Sequence, residues 1–135
     1  MLDILHHMSS GMKALVTEFA YNGFDELRQA TGGAGYLSSS GFADWFQETA
    51  AFPTFEGVNN VMYQQSARLL LKNASDVAKG KAPHPFFAYL GKMQELLSTK
   101  SGATSVEQFL NPDHLERALA TRSAMAVKTL ATKLA

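Results

Sequence analysis

The 135 residues contain no cysteine, so neither a disulfide nor a thiolate metal site can form. An excess of one charge is missing too: 12 lysines and arginines balance 12 acidic residues, and the formal net charge is zero. A chain without a net field does not gather phosphate backbones or anionic surfaces, which argues against nucleic acid as a partner. Apolar runs are short, Leu69-Leu70-Leu71 being typical, against the roughly 20 residues that a membrane span requires. No basic stretch followed by an apolar one opens the chain, so no secretory signal is expected. No segment alternates polar and apolar residues with the period of a strand. His6 and His7 are neighbours and point roughly 100° apart on a helix, and no further ligand at a four-residue step completes a site. No metal is expected.

What remains is helix. Leu5, Met8, Met12, Leu15, Phe19 and Leu27 recur at helical steps and draw one apolar stripe along a helix over residues 1–30. Gly23 interrupts it at a cost of about 1 kcal/mol, and Gly32-Gly33-Ala34-Gly35 ends it. A serine-rich loop over 36–40 leads to a short amphipathic helix over 41–50, with Trp45 and Phe46 as packing residues. Phe52-Pro53-Thr54-Phe55 is expected to be extended, since proline biases the preceding residue away from helical angles. A second long helix is expected over 57–79, with Val58, Val61, Met62, Leu69, Leu70, Ala74 and Val77 as its buried face. After a proline-containing break over 80–85, residues 86–97 read as helical, and 98–103 as loop. Thr104 with Glu107 fits a capping box. Asn111-Pro112-Asp113 opens a last helix, with asparagine as cap, proline at the first helical position and aspartate favoured by the dipole. Leu115, Leu119, Arg122, Ala126, Leu130 and Leu134 mark one side of it. The fold class is all-α, a helical bundle.

Two stretches depart from plain bundle sequence. Gln29-Ala30-Thr31-Gly32-Gly33-Ala34-Gly35-Tyr36 exposes backbone that a phosphate or another chain can approach, but taken alone it reads first as an ordinary glycine C-cap. The helix precedes the glycines, so this is neither a P-loop nor a Rossmann turn. In Pro53-Thr54-Phe55-Glu56-Gly57-Val58-Asn59-Asn60 a carboxylate sits among apolar residues where a helix begins. Burial there would raise its pKa into the range of a poised base; the alternative is an acid favoured by the helix dipole.

Together, at this spacing, the stretches resemble acyl-CoA oxidases. Residues 29–36 are similar to a Gln-x-x-Gly-Gly-x-Gly-Tyr segment shared by acyl-CoA dehydrogenases and oxidases. Thr54-Phe55-Glu56-Gly57, followed by Asn59, Val61, Gln65, Ala67, Arg68, Leu70 and Lys72, resembles the oxidase branch. Asn111 to Leu134 is similar to the first helix of the oxidases' last domain. The resemblance implies FAD-dependent oxidation of acyl-CoA to trans-2-enoyl-CoA, with O₂ reduced to hydrogen peroxide. It places Glu56 as the base, Gly57 against the substrate, and Gln29, Gly32, Gly33, Asn59 and Asn60 at the FAD. Ala34, Asn60 and Val58 depart from the family's usual histidine, threonine and acidic residue. The domain expectation is an oxidase-like segment over 1–80, a linker with a short helix over 81–103, and the start of the last helical domain over 104–135. The family's flavin-holding domains precede this region, so the chain is expected to be a C-terminal helical piece that cannot run the chemistry alone. An assembly module that has lost catalysis is the alternative. A homodimer or docking to a larger assembly, and a peroxisomal location, are also implied. Thr132-Lys133-Leu134-Ala135 does not supply the Ser-Lys-Leu peroxisomal ending.

Overall fold

The structure is a computed structural model and describes residues 1–134. Among these residues it contains six α-helices and no strand: α1 (Leu2–Ala30), α2 (Phe42–Thr49), α3 (Asn59–Ala78), α4 (Met93–Ser98), α5 (Val106–Phe109) and α6 (Pro112–Leu134). None is long and apolar enough to cross a membrane. Short 3-10 segments occupy Gly32–Tyr36, Ser38–Ser40 and Pro85–Lys92. The chain divides into two compact units, Met1–Leu69 and Leu70–Ala135, with the division inside α3.

In the first unit, α1 and the start of α3 meet across small residues. Ser10 and Ala14 are buried, and a methyl group on Gly11 would lie 3.2 Å from Ser66 Oγ. His7 Nδ1 is 2.9 Å from the Ser66 carbonyl and 3.0 Å from its hydroxyl. Helix α2 lies against the C-terminal half of α1 through aromatic pairs, Tyr21 with Phe46 and Phe24 with Trp45. The Arg28 guanidinium stands 5.2 Å over the Phe46 ring. Phe46 packs as expected, while Trp45, despite its ring contacts, stays 55% exposed.

In the second unit, Phe87, Leu90, Leu96, Ala124 and Val127 form the buried core. Phe87 and Leu90 are each 1% exposed, and burial on that scale stabilises by about 1.5–3 kcal/mol per side chain. The Tyr89 and Ser123 hydroxyls lie 2.8 Å apart. Asn111 Oδ1 accepts from the Asp113 amide at 2.9 Å, so the cap expected for α6 is in place.

Four local expectations are corrected. Residues 52–55 form tight turns instead of an extended connector: the Thr54 and Phe55 amides both donate to the Ala51 carbonyl. Residues 86–97 are a 3-10 segment followed by α4, because Phe87, at φ −112° and ψ 25°, breaks helical geometry. The cap of α5 is Ser105, whose Oγ accepts from the Gln108 amide, while Gln108 Oε1 reaches back to the Thr104 amide. The pairing therefore runs one residue later than Thr104 with Glu107. Finally, the face expected to be buried in α3 is only half-buried, at Met62, Leu69, Leu70, Ala74 and Val77, and the apolar stripes of α1 and α6 lie largely open. Phe19 is 80% exposed and Leu15 63%, Val58 and Val61 are exposed, and α6 buries Ala124 and Val127 while Leu115 and Leu119 face solvent.

Those uncovered stripes have a measurable consequence. The accessible surface is 9881 Å². Two separate compact units sharing the chain's 14.7 kDa would expose only about 8,400 Å² by the scaling of surface with mass. Among the described residues, large apolar side chains such as Phe19, Leu119 and Leu134 contribute to that exposed surface.

Candidate functional site

The glycine segment ends α1 with a division of labour that the sequence does not reveal. Gly32, at φ +60°, supplies the left-handed turn that a side chain disfavours. Gly35 is buried, and a methyl group there would collide with the Arg28 carbonyl and the Thr31 hydroxyl. Gly33 does neither, since its φ is not positive and nothing lies within 4 Å of an added methyl. The fold gives Gly33 no reason to be glycine. Gln29, Gly32 and Gly33 are all exposed. Gln29 Nε2 donates to Asp25 Oδ2 at 2.8 Å. The Arg28 guanidinium, with help from Gln29, holds the Asp25 carboxyl below its ordinary pKa.

At the other stretch, Glu56 lies in the turn that leads into α3. Its φ is +56°, and among the described residues it is the one non-glycine residue with positive φ. A side chain in this left-handed region costs about 1–2 kcal/mol, and such strain persists only where surroundings impose it. Gly57 follows at φ +105°, with Met62 so close that an added methyl would lie 2.6 Å from its Cε. Glu56 itself is exposed and makes no hydrogen bond or ion pair among the described residues. The desolvation that a poised base needs is therefore not supplied by this chain, contrary to the expectation that apolar neighbours bury it.

The surroundings that impose the strain are explicit. Lys13 Nζ, on α1, donates to the carbonyls of Phe52 (2.9 Å) and Gly57 (2.7 Å) and to Asn59 Oδ1 (3.0 Å). The Asn59 amide donates to the Pro53 carbonyl, closing the turn from the other side. Asn59 is buried; its Nδ2 donates to the Ala14 carbonyl and its Oδ1 also accepts from Thr17 Oγ1. Its carboxamide is thus engaged inside the fold, where the resemblance implies a flavin contact. Asn60 is exposed at the edge of a shallow groove of about 380 Å³, lined also by Glu18, Tyr21, Asn22 and Thr54. Tyr63 donates to Glu18 Oε2 at 2.8 Å, which holds the phenol above its ordinary pKa. Arg68 and Lys72 are solvated.

Lys13, Ala14 and Thr17 were not among the residues picked out in the sequence. The available signal was the small-residue face formed by Ser10, Gly11, Ala14 and Thr17, which marks where another segment approaches α1 closely.

The family described as acyl-CoA oxidase, C-alpha1 domain, matches residues 1–71, slightly more than half of the chain. The chain belongs to the acyl-CoA oxidase family. Peroxisomal acyl-coenzyme A oxidase 1 of Arabidopsis thaliana is 36% identical over 96% of this chain, and its namesake in Cavia porcellus is 34% identical over 98%. The solved structure of Arabidopsis thaliana acyl-CoA oxidase 1 superposes with a TM-score of 0.91 at 35% identity, covering 98% of this chain and 20% of that one. An acyl-CoA oxidase from Lycopersicon esculentum (tomato) gives 0.89 at 34%, covering 97% of this chain and 20% of that one. The chain spans about a fifth of the length of the relatives it matches: 19% of the Arabidopsis protein and 21% of the Cavia one. The all-α fold matches the corresponding helical region of these oxidases.

Proposed function

We propose that this chain is the helical portion of an acyl-CoA oxidase and that Glu56 is the group that takes the α-proton from the acyl-CoA. The observation that carries the reading is backbone strain: among the described residues, the one side-chain-bearing residue held in the left-handed region is the one that the resemblance puts at the base position. Strain of this kind concentrates at working sites. The α-proton is only modestly acidic, so the carboxylate must be held against it and kept from water. Glu56 is exposed in this chain, so water exclusion falls to the remaining four-fifths of an oxidase. Gly57 lies beside Glu56, where a side chain would crowd the substrate.

For FAD, the residues divide. Gly32 and Gly33 fit a diphosphate approach, because both are exposed with open space above the backbone. Gln29 and Asn60, both exposed, are assigned to the same contact. Asn59 fits less well, because its carboxamide already holds the turn, and we assign it to scaffolding. The chemistry FAD supplies when bound is acceptance of the β-hydride and delivery of the electron pair to O₂ as hydrogen peroxide. The product is trans-2-enoyl-CoA. Relatives named as peroxisomal point to that compartment for the parent enzyme. Residues 104–134 are assigned to the start of a further helical domain.

The experiment is a chimera of Arabidopsis thaliana acyl-CoA oxidase 1 whose matching fifth is replaced by this chain. Peroxide release on acyl-CoA that vanishes in Glu56→Gln at unchanged FAD content is expected; undiminished release would sink the assignment.

One observation favours a second reading, an assembly module without catalysis: the uncovered apolar stripes of α1 and α6. Such stripes suit either the rest of an oxidase or a second subunit. The 135-residue chain joining a larger complex in flavin-free form would favour the module; a stoichiometric FAD complex would count against it.

A further inference from the structure

We propose that Lys13 is the positioning residue for the proton-abstracting carboxylate. The inference rests on reading Glu56 as the base. A lysine ammonium has three N–H donors and no acceptor. At Lys13 all three are matched by acceptors within 3.0 Å: the Phe52 carbonyl, the Gly57 carbonyl and Asn59 Oδ1. Among the described residues no carboxylate pairs with it. A half-buried cation directed at neutral oxygens is an uncommon use of a lysine, since an ordinary surface lysine keeps its charge in water.

The two carbonyls flank Glu56, one four residues before it and one immediately after. A single ammonium therefore fixes both ends of the segment whose strained residue bears the carboxylate. The third acceptor joins that clamp to α3. Asn59 is tied to α1 through the Ala14 carbonyl and Thr17 Oγ1, and its amide holds the Pro53 carbonyl. Thr17 lies four residues after Lys13, on the same face of α1. Helix α1 thus works as a rail that sets where Glu56 stands. With the clamp gone, the left-handed φ of Glu56 has lost the three Lys13 contacts that oppose its relaxation. A displacement of about 1 Å at a reacting group can cost about a hundredfold in rate.

The test uses the same oxidase chimera. Lys13→Met keeps the length of the side chain and removes the donors. The expected result is a ten- to hundredfold fall in kcat, with KM for acyl-CoA within twofold and FAD content unchanged. The α-deuterium isotope effect on kcat is expected to rise, because proton removal becomes more fully rate-limiting. A wild-type kcat, or a loss that only tracks lost FAD with the isotope effect unchanged, would overturn the proposal. If Lys13→Met yields no flavin-loaded enzyme, Lys13→Arg decides. Its planar fork cannot place three donors where one ammonium does, so a lowered kcat with a raised isotope effect is expected, and wild-type values of both overturn it. Glu56→Gln in the same chimera separates the two claims. An inactive Glu56→Gln beside a fully active Lys13→Met removes the clamp alone, whereas an active Glu56→Gln removes the base assignment.

Discussion

Replacing Glu56 by glycine is expected to make this chain more stable while abolishing the chemistry proposed for it. Glu56 is held at φ +56°, a conformation that costs a side-chain-bearing residue about 1–2 kcal/mol. Among the described residues its carboxylate makes no hydrogen bond or ion pair that removal would forfeit. Glycine adopts this φ freely but loses more entropy on folding, which returns about 0.5–1 kcal/mol. The net gain is about 0.5–1 kcal/mol, or roughly 2–5 °C in Tm for a chain of this size. Glu56→Ala is the control: it removes the carboxylate but keeps the Cβ, and so keeps the strain. Thermal unfolding of the 135-residue chain, followed by circular dichroism, gives the ranking. Glycine above wild type with alanine at or below it is the expected order. A glycine variant that melts no higher than alanine would refute the reasoning, because the backbone would then impose no cost at this position. A substitution that stabilises and inactivates together is the mark of a residue kept for function.

The glycine segment gives a paired prediction. Gly35→Ala, which drives a methyl group into the Arg28 carbonyl, is expected to lower stability by about 1–3 kcal/mol; Gly33→Ala leaves the melting curve unchanged and weakens FAD retention in the assembled oxidase. Asn59→Ala removes the side-chain donor to the Ala14 carbonyl and one of the three acceptors of the Lys13 ammonium, and a loss of about 1–3 kcal/mol in urea unfolding is expected. Asn111→Ala removes the cap of α6 and is expected to cost about 1 kcal/mol by the same measurement. The Asp25 carboxyl has a lowered pKa in the fold, so its small contribution is present above the ordinary aspartate value and is lost as pH falls through the lowered one. The gap in Tm between wild type and Asp25→Asn is therefore expected to close in acid and to stay constant from pH 5 to 8.

The helices were legible because their punctuation is chemical. Asn111-Pro112-Asp113 predicts a helix start, and the structure shows the asparagine cap bonded to the aspartate amide. The glycine run ends α1 close to where expected. What the pattern could not give was the face each helix buries. Periodicity locates an apolar stripe and is silent on what covers it. In α1 the buried face is instead the small one, Ser10 and Ala14, with Gly11 against Ser66. Leu15 and Phe19 lie open, as fits a chain that spans a fifth of its relatives. Glu56 and Gly57 could be found from local sequence because their neighbours are distinctive. Lys13 could not, since its partners lie 39 to 46 residues away and a lone lysine on a helix carries no local mark. Nor could the sequence reveal that Asn59 faces inward. Its role follows from the approach of α1, which only the fold supplies.

Single-turnover reduction of the flavin by acyl-CoA, without oxygen, measures most directly the proton removal proposed for Glu56. In the chimera bearing this chain, Glu56→Gln is expected to bleach its flavin at least a hundredfold more slowly than wild type, in line with the roughly 10²- to 10⁴-fold contribution of a positioned base, at equal FAD content. Bleaching at a rate within twofold of wild type would contradict it.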